Sequence, residues 1–274
     1  MIVQPNLAVI GAQKSGTTSL YHQLRSHPEI FMSSPVKEPG YFMKSAFILR
    51  LFRQMNRSVD SRREALERYM LQGYREQRYF GDASTCYTIG TYSQVHGVPA
   101  RMRQAKPAMK MIYIVRNPFA RIVSNYLHAR RANRFDADFR SFVGTSHYQR
   151  ALLTSRYWYQ LAAYLEYFPK QQIKVVLFEE LVRDREAVMH EIYDFLELQS
   201  AGRVDTEARN RSENRSSFDA ADLLFPVDTF RAALRVIRPD VRNLEEFLNR
   251  ELEIWDLRLE RWCDVAARNA TPIQ

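Results

Sequence analysis

Leu7-Ala-Val-Ile-Gly11 runs without a gap into Gly11-Ala12-Gln13-Lys14-Ser15-Gly16-Thr17-Thr18 near the start of the chain. Leu7 to Ile10 is a short apolar run rich in branched residues, the pattern of a strand buried in a parallel sheet. Beyond Thr17, Leu20, Tyr21 and Leu24 recur at helical spacing. His27-Pro28 ends that helix, because a residue ahead of proline avoids helical geometry. Strand, glycine turn and helix in that order put backbone amides at a helix start, where N–H groups and the positive end of the helix dipole meet an anion. The glycine spacing is that of a phosphate cradle. Lys14, however, precedes Gly16, whereas the ATPase and kinase motif G-x-x-x-x-G-K-[ST] has its lysine just after the second glycine. The loop is not a standard ATP site.

Working outward, Met109-Lys-Met-Ile-Tyr-Ile-Val115 reads as a second strand and Ile173-Lys-Val-Val-Leu-Phe178 as a third, with a further strand edge over Phe80 to Thr85. Pro118 suits the first turn of a helix that continues to Arg131, since its missing amide has no partner to lose there. Other helices are expected over 45–72, 155–168, 184–196, 229–237 and 241–248, and Trp255 and Trp262 are expected to dock the tail. Residues 134–150 read as an irregular lid or acceptor-facing loop, and 201–217, crowded with arginine, serine and asparagine, as a second loop. The alternation predicts an α/β fold: one domain over 1–274, with a largely parallel sheet flanked by helices in the manner of P-loop nucleotide-binding folds.

Composition bounds the function. At 274 residues the chain can bury one substantial core, and 46% apolar with 26% charged residues is ordinary for a soluble protein. A net charge of +9 favours a partner or donor with several negative charges, although scattered arginines also simply solubilise. Their spread along the chain argues against nucleic acid as the partner. Cys86 and Cys263 are the only cysteines and lack metal-ligand spacing, so no metal site and no disulfide is expected. No signal peptide or membrane span is apparent, and a cytoplasmic location is expected.

Three groups of residues are candidates for chemistry. Lys14 sits within the cradle, with Thr17 and Thr18 adding hydroxyl and amide donors at the helix start. Arg116 follows a strand and Ser124 lies two helical turns on, where an arginine fork and a hydroxyl can hold a second phosphate; a salt bridge and a packing serine account for them equally well. Glu38 lies in Pro35-Val-Lys-Glu-Pro39-Gly-Tyr-Phe42, made rigid by two prolines. Its carboxylate is a candidate base, while an exposed Glu38 with Lys37 pointing inward is the alternative.

Together these segments resemble the sulfotransferases that use 3′-phosphoadenosine 5′-phosphosulfate (PAPS), closest to the branch of bacterial and carbohydrate, heparan-type enzymes. Gly11 to Thr18 with Leu20 and His27-Pro28 resembles the family's 5′-phosphosulfate loop, and Lys37-Glu-Pro-Gly-Tyr-Phe42 its catalytic-glutamate segment. Arg116-Asn-Pro118 with Arg121, Ser124 and Tyr126 resembles the 3′-phosphate motif. Later segments fit as well: Tyr157-Trp-Tyr-Gln-Leu161, Val176-Leu-Phe-Glu-Glu-Leu181 and Arg238-Pro-Asp240. The resemblance implies in-line transfer of a sulfuryl group to an acceptor hydroxyl on a glycan, lipid or secondary metabolite. It implies Glu38 as general base, Lys14 as charge stabiliser, and the 3′-phosphate held by Arg116 and Ser124. A glutamate base is expected to need a pKa above the ordinary value of about 4.3, the direction in which burial acts.

Two departures stand out. Heparan-type enzymes usually carry a lysine in a Glu-Lys-[Ser/Thr]-Pro-x-Tyr segment facing the acceptor; here the stretch reads Asp82-Ala-Ser-Thr-Cys-Tyr87. Either Asp82 and Ser84 take over part of the site, or the acceptor is not strongly anionic. The glycine- and lysine-rich loop of many relatives is also missing, and Arg211 or Arg215 in Asn210-Arg-Ser-Glu-Asn-Arg215 is the candidate replacement. Alternative readings are a nucleotide-dependent small-molecule kinase and a non-catalytic module that binds anions or nucleic acid.

Overall fold

Five apolar segments build one parallel sheet: β1 (Leu7–Gly11), β2 (Ile30–Met32), β3 (Tyr79–Asp82), β4 (Lys110–Val115) and β5 (Ile173–Leu177), in the order β2-β3-β1-β4-β5. The computed structural model describes residues 3–33, 37–44, 70–90, 97–199 and 221–263. All of β1, β2 and β3 is buried, and β1 accordingly reads as an unbroken apolar run rather than an alternating one. The chain travels to one side of β1 for β2 and β3 and to the other for β4 and β5. The switch point therefore falls at β1, whose C-terminal end opens into the glycine loop.

In chain order the helices are α1 (Thr17–Ser26), α2 (Val98–Ala105), α3 (Pro118–Arg131), α4 (Phe139–Phe142), α5 (Ser146–Thr154), α6 (Tyr157–Leu165), α7 (Phe178–Arg183), α8 (Arg185–Phe195), α9 (Val227–Leu248) and α10 (Leu259–Trp262). The chain divides into two compact units, one of residues 1–115 and 160–209 that holds the whole sheet, the other of residues 116–159 and 210–274.

The first unit is centred on the sheet. Leu20, Tyr21 and Leu24 of α1 share a buried cluster with Leu7 and Val9 of β1, Ile112 and Ile114 of β4, and Val188, Met189 and Ile192 of α8. Each fully buried leucine contributes roughly 1.5–3 kcal/mol, so α1 is held by its apolar face more than by intrinsic propensity. Helix α1 ends as the sequence predicts, with the His27 amide bonded to Leu24 and Pro28 beyond. The strand expected over Phe80 to Thr85 is present as β3, which starts at Tyr79, stops at Asp82 and lies between β1 and β2. Strand β2 is only three residues long, too short for a periodic signal.

The second unit has an aromatic core. Phe119 of α3 stacks near Phe230 of α9 at 4.5 Å between ring centroids, and Phe139 of α4 meets Phe225 at 4.8 Å. Residues 134–150 are accordingly not irregular: they hold α4 and the start of α5, because Phe139 and Phe142 are buried against Tyr126. The two helices expected over 229–237 and 241–248 are one, α9, with Pro239 inside it. Phe230, Ala233, Ile237, Val241 and Leu244 continue one buried face across the proline. Their burial outweighs its cost of about 3 kcal/mol. Asp240 accepts the amides of Trp158 at 3.0 Å and Tyr159 at 2.9 Å, capping α6. Trp255 packs on Tyr157 and Trp262 on Phe119, as expected for the tail. Most of the helix expected over 45–72, and the whole of 201–217, lie outside the described residues.

Candidate active site

The loop after β1 is shaped by backbone. The Ala12 amide bonds to the Ile114 carbonyl at 2.6 Å, and the Thr88 hydroxyl donates to the Ile10 carbonyl at 2.9 Å, which ties the loop's entry to β4 and to the 3₁₀ turn Thr85–Thr88. Lys14 has φ 70° and Gly16 has φ 93°, so the chain turns back through left-handed conformations that a lysine rarely adopts. A Cβ on Gly16 would lie 2.7 Å from the ring of Phe178, so the loop rests on an aromatic floor that only glycine clears.

Helix α1 begins against this loop with no side chain capping it and no carboxylate in its first turn. Its first internal bond is Leu20 N–H to Gly16 C=O at 3.2 Å, so the amides of Thr17 and Thr18 precede the intrahelical ladder. The Ser15 hydroxyl is fully buried and has no hydrogen-bond partner among the described residues. A buried hydroxyl without a partner, a left-handed lysine and an uncapped helix start together fit an anionic group such as a phosphosulfate.

In the same unit, Lys37 and Glu38 pair with each other, with Nζ 3.0 Å from Oε1. Both are partly exposed, at 26% and 40%, which leaves the pair accessible. Thr85 donates its hydroxyl to Glu38 Oε2 at 2.8 Å. The backbone that follows is fixed by β3 and the turn after it. Gly40 N–H donates to Ser84 Oγ at 2.8 Å, Tyr41 N–H to Asp82 Oδ2 at 3.1 Å and Phe42 N–H to Tyr87 Oη at 3.0 Å. Ser84 in turn donates to Asp82 Oδ1 at 2.5 Å, and Tyr87 donates to Asp82 Oδ2. Burial raises the Asp82 carboxyl to about 6 against the lowering effect of these donors.

The departure at Ala83 lies in the core. Asp82, Ala83 and Ser84 are all buried, at 1%, 1% and 0%, and the two polar ones are committed to backbone. Their polar atoms bond to the amides of Gly40 and Tyr41, to each other and to Tyr87.

In the second unit, Arg116 directly follows β4, and its amide meets the Tyr157 hydroxyl at 3.4 Å. Asn117 caps α3 by accepting the amides of Phe119 and Ala120 at 3.0 and 3.1 Å, and donates to the Asp256 carbonyl at 3.1 Å. Arg116 and Ser124 are half-buried. Arg121 is fully buried and engages Ser155 Oγ at 2.6 Å and the Ala151 carbonyl. Tyr126 donates to the Ala137 carbonyl at 3.0 Å. Within this motif, Arg121 and Tyr126 build the unit, whereas Arg116 and Ser124 keep partial access. Arg211 and Arg215 lie outside the described residues.

His27 is structural. The Glu29 amide donates to Nδ1 at 3.1 Å, so Nε2 carries the proton and donates to the Gln199 carbonyl at 3.0 Å. Thr85, Tyr87, Thr88 and Phe178 have roles that are not legible in the sequence. Each acts on a partner far away in the chain, and none stands in a spacing that marks it.

The Sulfotransferase domain family matches residues 4–221. Human carbohydrate sulfotransferase 15 is 24% identical over 246 residues, covering 71% of this chain and 44% of its own. The Drosophila melanogaster bifunctional heparan sulfate N-deacetylase/N-sulfotransferase is 29% identical over 213 residues, covering 71% of this chain and 20% of its own. The chain thus spans less than half the length of these curated relatives. The crystal structure of a sulfotransferase from Alicyclobacillus acidocaldarius superposes with a TM-score of 0.70 at 25% identity, covering 93% of this chain and 99% of that one.

Proposed function

Because the chain belongs to the sulfotransferase domain family, we propose that it is an enzyme transferring a sulfuryl group from PAPS to an acceptor hydroxyl. The observation that carries this reading is the loop at the switch point, where Lys14, the buried Ser15 hydroxyl with no partner among the described residues, and the start of α1 without a side-chain cap are arranged for an anion. When bound, the donor supplies an activated sulfuryl group on a 5′-phosphate. Lys14 balances charge there, and Ser15, Thr17 and Thr18 donate hydrogen bonds to it. Such preorganised donors stabilise developing charge at no cost in reorganisation. Arg116 and Ser124 hold the 3′-phosphate, with Arg211 or Arg215 as a further candidate contact.

Glu38 takes the proton of the acceptor hydroxyl on Oε1 or Oε2. Lys37 and Thr85, which touch one carboxylate oxygen each, keep it oriented. Positioning does most of the work in a transfer of this kind, since no covalent enzyme intermediate is needed. With Ala83 in the core where the resembling enzymes usually carry a lysine, this position offers the acceptor no cation, which favours a hydroxyl on a weakly charged glycan, lipid or secondary metabolite.

The test is incubation of purified protein with PAPS and a panel of desulfated glycans, lipids and phenols. Release of adenosine 3′,5′-bisphosphate that depends on one acceptor class is expected. No donor binding at micromolar concentration overturns the reading.

A further inference from the structure

The stretch Asp82 to Thr88 touches both halves of the chemistry in the first unit. At its end, Thr88 bonds the carbonyl of Ile10 and fills the space beside Gly11 where the phosphate loop begins. In its middle, Thr85 holds the Glu38 carboxylate. At its start, Asp82 takes hydrogen bonds from Ser84, Tyr87 and the Tyr41 amide, while Ser84 and Tyr87 accept from the amides on either side. One buried carboxylate thus organises three consecutive amides, those of residues 40, 41 and 42. Among the described residues, the Tyr41 amide and the hydroxyls of Ser84 and Tyr87 are the hydrogen-bond donors to this carboxylate.

We propose that Asp82 is a positioning residue: the hub of a clamp over residues 82–88 that fixes Glu38 relative to the phosphate loop. The inference rests on the reading of Glu38 as base, yet its structural half can be tested without turnover. An exposed glutamate on a loop samples many positions, and a base must meet its proton at hydrogen-bond distance. Fixing the backbone two residues on restricts Glu38 to a few rotamers. Arg101 supports the same backbone, its Nε donating to the Phe42 carbonyl at 2.6 Å.

The experiment is Asp82→Asn, which leaves one acceptor oxygen where two are used. Hydrogen exchange should accelerate about tenfold or more at residues 40–42. kcat should fall at least about tenfold, while affinity for adenosine 3′,5′-bisphosphate stays within about twofold. In a Glu38→Gln background the added substitution should cost little more, because a misplaced base and a missing base are one defect. Unchanged exchange at 40–42, unchanged kcat, or a full additional loss on top of Glu38→Gln overturns the proposal. If Asp82→Asn does not fold, Tyr87→Phe removes a single hydroxyl. It should speed exchange at Phe42 and lower kcat in the same direction, and no effect on either overturns the clamp. Full turnover by Glu38→Gln alone would instead remove the reading of Glu38 as base, with the exchange result still deciding whether Asp82 holds this backbone.

Discussion

The phosphate loop and the Glu38 segment lie in the same unit but are held by opposite means. The loop takes its shape from main-chain angles at Lys14 and Gly16 and from a carbonyl of the adjoining strand β4. The Glu38 segment takes its shape from side chains: the bonds to Ser84, Asp82, Tyr87 and Thr85 reach across 44, 41, 45 and 47 residues. A backbone-built site is broken by adding a Cβ, and a side-chain-built site by removing a polar atom. The two regions should therefore fail differently, one through donor binding and the other through turnover.

The largest separation should come from Glu38→Gln, which is expected to lower kcat by about 10²–10⁴-fold with donor binding intact. Steady-state kinetics beside titration of the bisphosphate checks this; loss of both together would mean that the two regions are not distinct. Next in size, Lys14→Ala should cost about 10²–10³-fold in kcat/KM and weaken the bisphosphate complex as well. Gly16→Ala should act on stability. Its Cβ meets the Phe178 ring at a positive φ, and thermal melts should show a loss of about 1–3 kcal/mol together with weaker donor binding.

The last effect is on pH. Burial raises Asp82 in the first unit and Asp240 in the second to about 6, in each case against hydrogen bonds that lower the value. A folded-state pKa above the unfolded value of 3.8 means that the native state binds the extra proton. These two groups therefore favour folding most at low pH, and their contribution falls as pH rises from about 4 through about 6. Asp240→Asn should flatten that slope relative to wild type in melts from about pH 4 to 6.5, with a difference of about 1–3 kcal/mol across the window. A steeper slope in the variant would reverse the assignment.

The same contrast explains what was legible in the sequence. Strand β1, the glycine loop and α1 are local, so their residues lie in one stretch with recognisable period and punctuation. Strands β4 and β5 were legible for the same reason. Glu38 could be singled out by position, but its partners could not, since nothing in Asp82 to Thr88 marks the distant amides these residues hold. Residues 134–150 looked irregular because Phe139 and Phe142 become a helix face only against Tyr126 and Phe225. Pro239 looked like a helix end because the continuity of the buried face across it is a tertiary effect.

Calorimetric titration of adenosine 3′,5′-bisphosphate, with ATP and magnesium as the competitor, tests most directly whether the loop is a phosphosulfate cradle. Micromolar binding of the bisphosphate that is weakened at least about tenfold by Lys14→Ala, with ATP binding far more weakly, is the expected result. Tighter binding of magnesium ATP, or bisphosphate binding indifferent to Lys14, would contradict it.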